Sequence, residues 1–247
     1  MKRGRFAGTK QILQFNWPFY ALLAPILLSA KWVLQWRKWP RPLELLGNSG
    51  ILLGAWWAIA AIAVSAWIYD FSPLMKWRWI SDFLPQKPEN WANFHAGLDE
   101  STPALREILG SDGRVFDFFD AQTMTEPSIR RARALCQAEI TPEVADYRAL
   151  PIDSSSLDAA FIFLAAHEIR DFSEREKFFT ELKRTLKKGG TLIVAEHVRD
   201  LANFAAFGPG ALHFFAASEW EALGATLELK ARHKITPFVR IWVWEKI

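Results

Sequence analysis

The sequence predicts an α/β domain built on a parallel sheet covered by helices, preceded by two transmembrane helices. Three observations predict this. Two stretches without charge, 11–30 and 45–69, each hold the roughly 20 apolar residues that a spanning helix needs. From residue 91 onward, short apolar runs alternate with charged, helical segments, the pattern of a helix-covered parallel sheet. The charge divides the same way: residues 1–44 carry eight Lys or Arg against Glu44, or +7, and the remaining residues carry −4.

Averaged over 247 residues, these unlike parts give an unremarkable 51% hydrophobic and 23% charged composition with a net charge of +3. That composition excludes intrinsic disorder. A single cysteine excludes a disulfide scaffold and a Cys-cluster zinc site. Because the basic charge lies outside the folded domain, no nucleic-acid partner is expected.

Residues 1–69 read as a membrane hairpin with spans of about 12–30 and 46–68, so the lipid bilayer is the first expected partner. Nine of the 13 tryptophans precede residue 80. Trp17, Trp32, Trp36 and Trp39 bracket the first span, and Trp67, Trp77 and Trp79 follow the second, as amphipathic rings collect at headgroup level. Trp56 and Trp57 fall mid-span and are expected to face lipid or a partner helix, while Pro18 and Pro25 offer kinks in the first span. Four basic residues at the N-terminus and four in the Lys31–Arg41 connection leave the positive-inside rule undecided. Residues 70–90, interrupted by Pro73, Pro85 and Pro88, read as an interfacial linker.

In the α/β part, 91–247, strands are expected at Ala92–Ala96, Val115–Phe119, Leu157–Ala165 and Thr191–Ala195, with a closing pair at Ala225–Ala231 and Val239–Trp244. Helices are expected at Thr102–Leu109 and Glu126–Gln137. Two more open at the capping boxes Ser173–Glu176 and Ser218–Glu221, the first ending at Gly189-Gly190. Cys136 is placed on an apolar helix face, Arg130, Arg131 and Arg133 on a solvated one, and Asn203–Phe215 in an apolar loop.

Asp146-Tyr-Arg-Ala-Leu-Pro151, Asp153-Ser-Ser-Ser-Leu-Asp158, Ala166-His-Glu-Ile, Leu182-Lys-Arg-Thr-Leu-Lys-Lys-Gly-Gly190 and Thr191-Leu-Ile-Val-Ala-Glu196 follow one another in an order and spacing that resembles the class I S-adenosylmethionine-dependent methyltransferases, type 11-like. The resemblance covers 91–247 and implies a Rossmann-like seven-stranded sheet of order 3-2-1-4-5-7-6 with an antiparallel last strand. It implies S-adenosylmethionine as cofactor, with the Gly97 turn at its methionine and ribose, Asp120 on the ribose hydroxyls, Asp146 and Tyr147 at adenine, and His95 and Ala165 also among the cofactor-binding residues. The family carries an acid and Gly-x-Gly-x-Gly after its first strand; Asn93–Thr102 carries Gly97 alone.

Ligands in such sheets sit beyond the carboxyl ends of the strands. Three of those ends carry polar clusters: His95 with Asp99 and Glu100, His167 with Glu168, and Glu196 with His197. His167 or Glu196 is a candidate catalytic base. A divalent metal on His and carboxylate ligands is a second reading and a helix-capping, solvated rim a third; no metal is assigned. Two functions follow. One is a membrane-anchored methyltransferase acting on a hydrophobic small molecule or a membrane-held acceptor, with its α/β domain on the cytoplasmic side of an inner or plasma membrane. The other is a catalytically inactive relative serving as a structural subunit of a membrane protein complex.

Overall fold

The computed structural model describes residues 4–136 and 138–247. Lys2, Arg3 and Gln137, which enter the charge count and the expected end of a helix, lie outside the described residues.

Helix α1 (Ala7–Trp36) and helix α2 (Arg41–Ala66) form an antiparallel hairpin, and both are long and apolar enough to cross a membrane. Pro18 and Pro25 lie inside α1 without ending it. The helices approach closely where a side chain is absent: a Cβ on Gly47 would lie 2.8 Å from Leu34. Asp70 closes the other end, where its two carboxylate oxygens accept from the backbone N–H groups of Gly8 and Thr9. The start of α1 therefore has a cap 61 and 62 residues away in sequence from the two N–H groups it accepts.

Residues 70–90 correct the interfacial reading. After a π-helical turn (Trp67–Phe71), Leu74, Trp77, Trp79 and Ile80 are buried against the sheet and pack with Phe161, Phe163, Ile193 and Ile241. Trp77 turns the chain through a left-handed conformation, φ 57°. These four side chains face protein, so the joint that follows the hairpin is built into the domain core.

The sheet has the expected order, β3-β2-β1-β4-β5-β7-β6. Its strands are β1 (Trp91–His95), β2 (Arg114–Asp117), β3 (Glu143–Val144), β4 (Leu157–Phe163), β5 (Leu186–His197), β6 (Glu228–Thr236) and β7 (Val239–Glu245). The first five are parallel, and β7 runs antiparallel between β5 and β6. Alternation along the strands divides the core. Phe94, Phe116, Leu192 and Val194 face α5 (Phe172–Thr185) and α7 (Ala217–Leu223), which supply Phe178, Leu182 and Trp220. Phe161, Phe163 and Ile193 face the 74–83 turns and α3 (Thr102–Leu109).

Several local expectations are corrected. Asp171 rather than Ser173 caps α5, accepting from Glu174 N. In α7 Glu219 accepts from Ala216 N, and Ser218 takes no capping role. The 203–215 loop is largely helical: α6 (Leu201–Phe207), capped by Asp200, followed by a 3₁₀ segment (Gly208–His213). Cys136 sits at the end of α4 (Pro127–Leu135), half-buried, instead of on its apolar face. β3, a strand the resemblance implies, has no position in the sequence pattern because at two residues it is too short to carry a period.

Candidate functional site

Two polar clusters lie beyond the carboxyl ends of the central strands, and they differ in character. The first surrounds the turn after β1. Gly97 there has φ +116°, a conformation L side chains rarely adopt, and its N–H donates to Nδ1 of the buried His95. Burial pushes the His95 imidazole below its ordinary pKa. Asp99 Oδ1 accepts from the N–H groups of Ser101 and Thr102 and from Asn93 Nδ2. The donors this turn would offer a ligand are thus taken by its own side chains.

The acid at the end of β2 is Asp117, in register with His95. Asp120 stands three residues further on, beyond the end of β2. Its carboxylate accepts from Gln122 N, which holds its pKa below the usual range. Arg133, expected on a solvated face, donates to Asp117 Oδ2 at 2.6 Å and to Ala96 O at 3.3 Å, with its guanidinium 4.1 Å from the Phe119 ring centre. A Cβ built on Gly97 would lie 2.2 Å from Arg133 Nη1, so this side chain covers the turn. Arg133 and Asp117, like His213 in the second cluster, are residues the sequence did not single out. The only signal for Arg133 was three arginines within four residues of α4, a pattern that solvated helices share.

Tyr147 and Asp146, expected at adenine, are separated. Tyr147 is 1% exposed, packs on Phe118 and Phe178, and bonds Glu174 through its hydroxyl. Burial raises its phenol to about 12. Asp146 is exposed and accepts from Arg148 N.

The second cluster joins β4 and β5. Glu196, fully buried, accepts from Ala165 N (3.0 Å) and His167 N (3.3 Å), and its other oxygen lies 2.8 Å from His167 Nδ1. His167 Nε2 is 3.5 Å from Glu168 Oε1, while Glu168 Oε2 is buried with no hydrogen-bond partner among the described residues. Burial alone would lower the His167 pKa; Glu196 and Glu168 outweigh it and raise it to about 10. The ring at neutral pH is therefore an imidazolium with no lone pair to accept a proton. His213 closes the cluster, its ring edge-on to His167 at 5.4 Å. Just before it the backbone is strained, with Leu164 at φ 52°.

His197 does not join this cluster, because successive side chains of β5 point to opposite faces. Its Nδ1 lies 3.1 Å from Phe238 O, so it carries the proton, and its Nε2 accepts from Tyr69 OH at 2.8 Å. Burial and the charge on His167 push its pKa to about 4. This neutral histidine fastens the end of the hairpin to the sheet. Trp56 and Trp57 add a second attachment by donating to Ala205 O and Phe204 O of α6.

Residues 119–194 match the family model described as a methyltransferase domain. Among solved structures, a SAM dependent methyltransferase from Aquifex aeolicus is similar at 14% identity, over 72% of this chain and 94% of that one, with a TM-score of 0.55. A chain of the complex between the Haloferax volcanii Trm112 methyltransferase activator and a methyltransferase is similar at 17% identity over 76% and 96%, with a TM-score of 0.51. Geranyl diphosphate C-methyltransferase from Streptomyces coelicolor A3(2) is similar at 14% identity over 68% and 77%, with a TM-score of 0.50. No curated protein matches the chain. The α/β domain has the fold of the S-adenosylmethionine-dependent methyltransferases.

Proposed function

We propose that the protein is a membrane-anchored S-adenosylmethionine-dependent methyltransferase acting on a hydrophobic or membrane-held acceptor. The carrying observation is the pair of strand ends that meet in register: the Gly97 turn two residues after His95, and the buried acid Asp117 opposite it. An acid there suits the ribose hydroxyls, and a bare glycine lets a backbone lie close to the methionine end. The residues fit the cofactor once Arg133 withdraws, because what covers Gly97 is the far part of a flexible side chain. The cofactor, when bound, supplies an electrophilic methyl group. The chain's own part is to bind, orient and exclude water. Glu168 Oε2, buried and without a hydrogen-bond partner among the described residues, is the group that can accept a hydrogen bond from an acceptor, a role His167 cannot fill while protonated.

Several observations support the membrane side. Trp17 and Trp36, both exposed, are 19 residues apart on α1, or about 28 Å of helix rise. That spacing suits aromatic belts on either side of a hydrocarbon core of roughly 30 Å. Between those levels α6 lies on α2 and exposes Leu201, Phe204 and, just after it, Leu212. These side chains, and an open apolar groove of about 850 Å³ between α1 and α4, suit a lipid-like acceptor. The cofactor is cytosolic, so the α/β domain belongs on the cytoplasmic face of an inner or plasma membrane.

The Arg133–Asp117 ion pair and the self-satisfied donors of the Gly97 turn favour a second reading, a non-catalytic subunit of a membrane complex. Calorimetry of the full chain in detergent with S-adenosylhomocysteine, for wild type and Arg133→Ala, separates the two. Binding by either protein is expected for the enzyme. No binding by both at millimolar ligand overturns it in favour of the second reading.

A further inference from the structure

We propose that His167, Glu168 and His213 form a binding site for a first-row transition dication, Zn²⁺ or a close relative, with Glu196 as the residue that orients His167. One ligand atom from each of the three lies within 4.8 Å of the other two. Ligands about 2.1 Å from a tetrahedral ion sit roughly 3.4 Å apart, and His167 Nε2 and Glu168 Oε1 already have that spacing at 3.5 Å. Two imidazoles and one carboxylate select a borderline transition ion over Mg²⁺ or Ca²⁺, which favour all-oxygen shells.

Four features show that the cluster is built as a site. Glu168 is 9% exposed, yet its Oε2 has no hydrogen-bond partner among the described residues, so a carboxylate oxygen is desolvated without compensation. Glu196 engages His167 Nδ1 at 2.8 Å, the carboxylate–histidine contact that fixes a metal-binding imidazole with Nε2 turned to the ion. Arg170 Nη1 donates to the carbonyls of both His167 (3.1 Å) and His213 (2.7 Å), so one guanidinium holds together the two segments that bring the histidines. Two buried carboxylates, Glu168 and Glu196, flank the one His167 ring, and a dication bound there would balance their charge.

The three side chains come from two separated segments. His167 and Glu168 lie in the 3₁₀ turn after β4, and His213 ends the 3₁₀ segment after α6. Three protein ligands leave positions for water or another oxygen ligand, as in catalytic rather than structural zinc sites. Glu126 Oε1 lies 3.8 Å from His213 Nδ1. The site stands on these contacts whether or not the cofactor binds.

The test is a metal titration of the full chain in detergent, stripped with chelator and free of cofactor. Zn²⁺ is followed by calorimetry and Co²⁺ by its visible absorption. Wild type is expected to bind one Zn²⁺ per chain with micromolar or tighter affinity and to give the Co²⁺ spectrum of a nitrogen- and oxygen-ligated ion. His213→Ala and Glu168→Gln should each weaken Zn²⁺ binding at least 100-fold and abolish the Co²⁺ band. Glu196→Gln should weaken it 10- to 100-fold, while His233→Ala on β6 leaves it unchanged. Near-ultraviolet circular dichroism identifies any variant that has lost its fold, and the wild-type titration stands without the variants. Failure of wild type to take up Zn²⁺ at 100 µM, or equal uptake by folded His213→Ala, would overturn the proposal. Cofactor calorimetry can succeed or fail independently of either result.

Discussion

Replacing Arg133 with alanine should loosen the fold and tighten cofactor binding by about the same free energy. In the wild type the guanidinium must leave Asp117 and the Gly97 turn before a ligand can lie there. Its 2.6 Å bond to Asp117 is charge-assisted, a class worth about 1.5–3 kcal/mol. The arginine side chain is 32% exposed, so solvent screening reduces this to about 1–2 kcal/mol. Removing that cost should lower the Kd for S-adenosylhomocysteine by about 5- to 30-fold. The same loss should lower the melting temperature of the apo protein by roughly 2–8 °C. Calorimetry at two temperatures and thermal unfolding, both on the full chain in detergent, read the two quantities. Unchanged affinity with a lowered melting temperature would show that Arg133 is structural and gates nothing. Weaker binding would place the guanidinium among the ligand's own contacts and refute the gating argument.

Asp70→Ala strips the cap from α1 and leaves the Gly8 and Thr9 N–H groups without their acceptor; a loss of about 2 kcal/mol is expected in thermal unfolding, with Asp70→Asn intermediate. His197 has a folded pKa of about 4 against an ordinary 6.5, so its contribution to stability is complete above pH 6.5 and is lost as the pH falls toward 4. His197→Gln should flatten the acid side of the stability–pH curve by about 3 kcal/mol over that window, and an unchanged curve would refute the neutral assignment. Trp56→Phe with Trp57→Phe leaves the Ala205 and Phe204 carbonyls without their indole donors; loss of about 1–2 kcal/mol, with faster proteolysis at α6, is expected. Lys38→Cys, in the connection between α1 and α2 and on a Cys136→Ala background, should react with an impermeant maleimide from outside intact cells, and labelling only after lysis would invert the topology.

The resting protonation of the second cluster bears on how catalytic histidines are read from sequence. His167 is a candidate base by its place at a strand end, and Glu196 lies beside it. Two carboxylates around one buried ring nonetheless make it an acid. The charge on His167 depends on the exact approach of Glu168 and Glu196, which no spacing in the sequence encodes. The fixed unit for experiment is also larger than the sequence suggests: Ile68 and Trp77 are core residues of the α/β sheet, so the hairpin and the domain are to be tested together.

What the sequence determined by itself is what depends on local composition and period. The two uncharged apolar stretches, the alternation of strands and helices, α3 to the residue, and the sheet order through an ordered series of short motifs were all legible. Glu196 and His167 were legible as neighbours because β4 and β5 pair in the sheet. What only the tertiary structure decided is which side chains share a pocket. Asp117 rather than Asp120 ends β2, His197 turns away from Glu196, and Tyr147 enters the core; each outcome follows from where a strand stops or which pleat a residue occupies, and a shift of one residue reverses it. Arg133 on Gly97 and His213 against His167 join segments 36 and 46 residues apart, across helices whose docking angles are set by the whole core. Period and propensity act over a few residues; the site is made by contacts that only packing brings together.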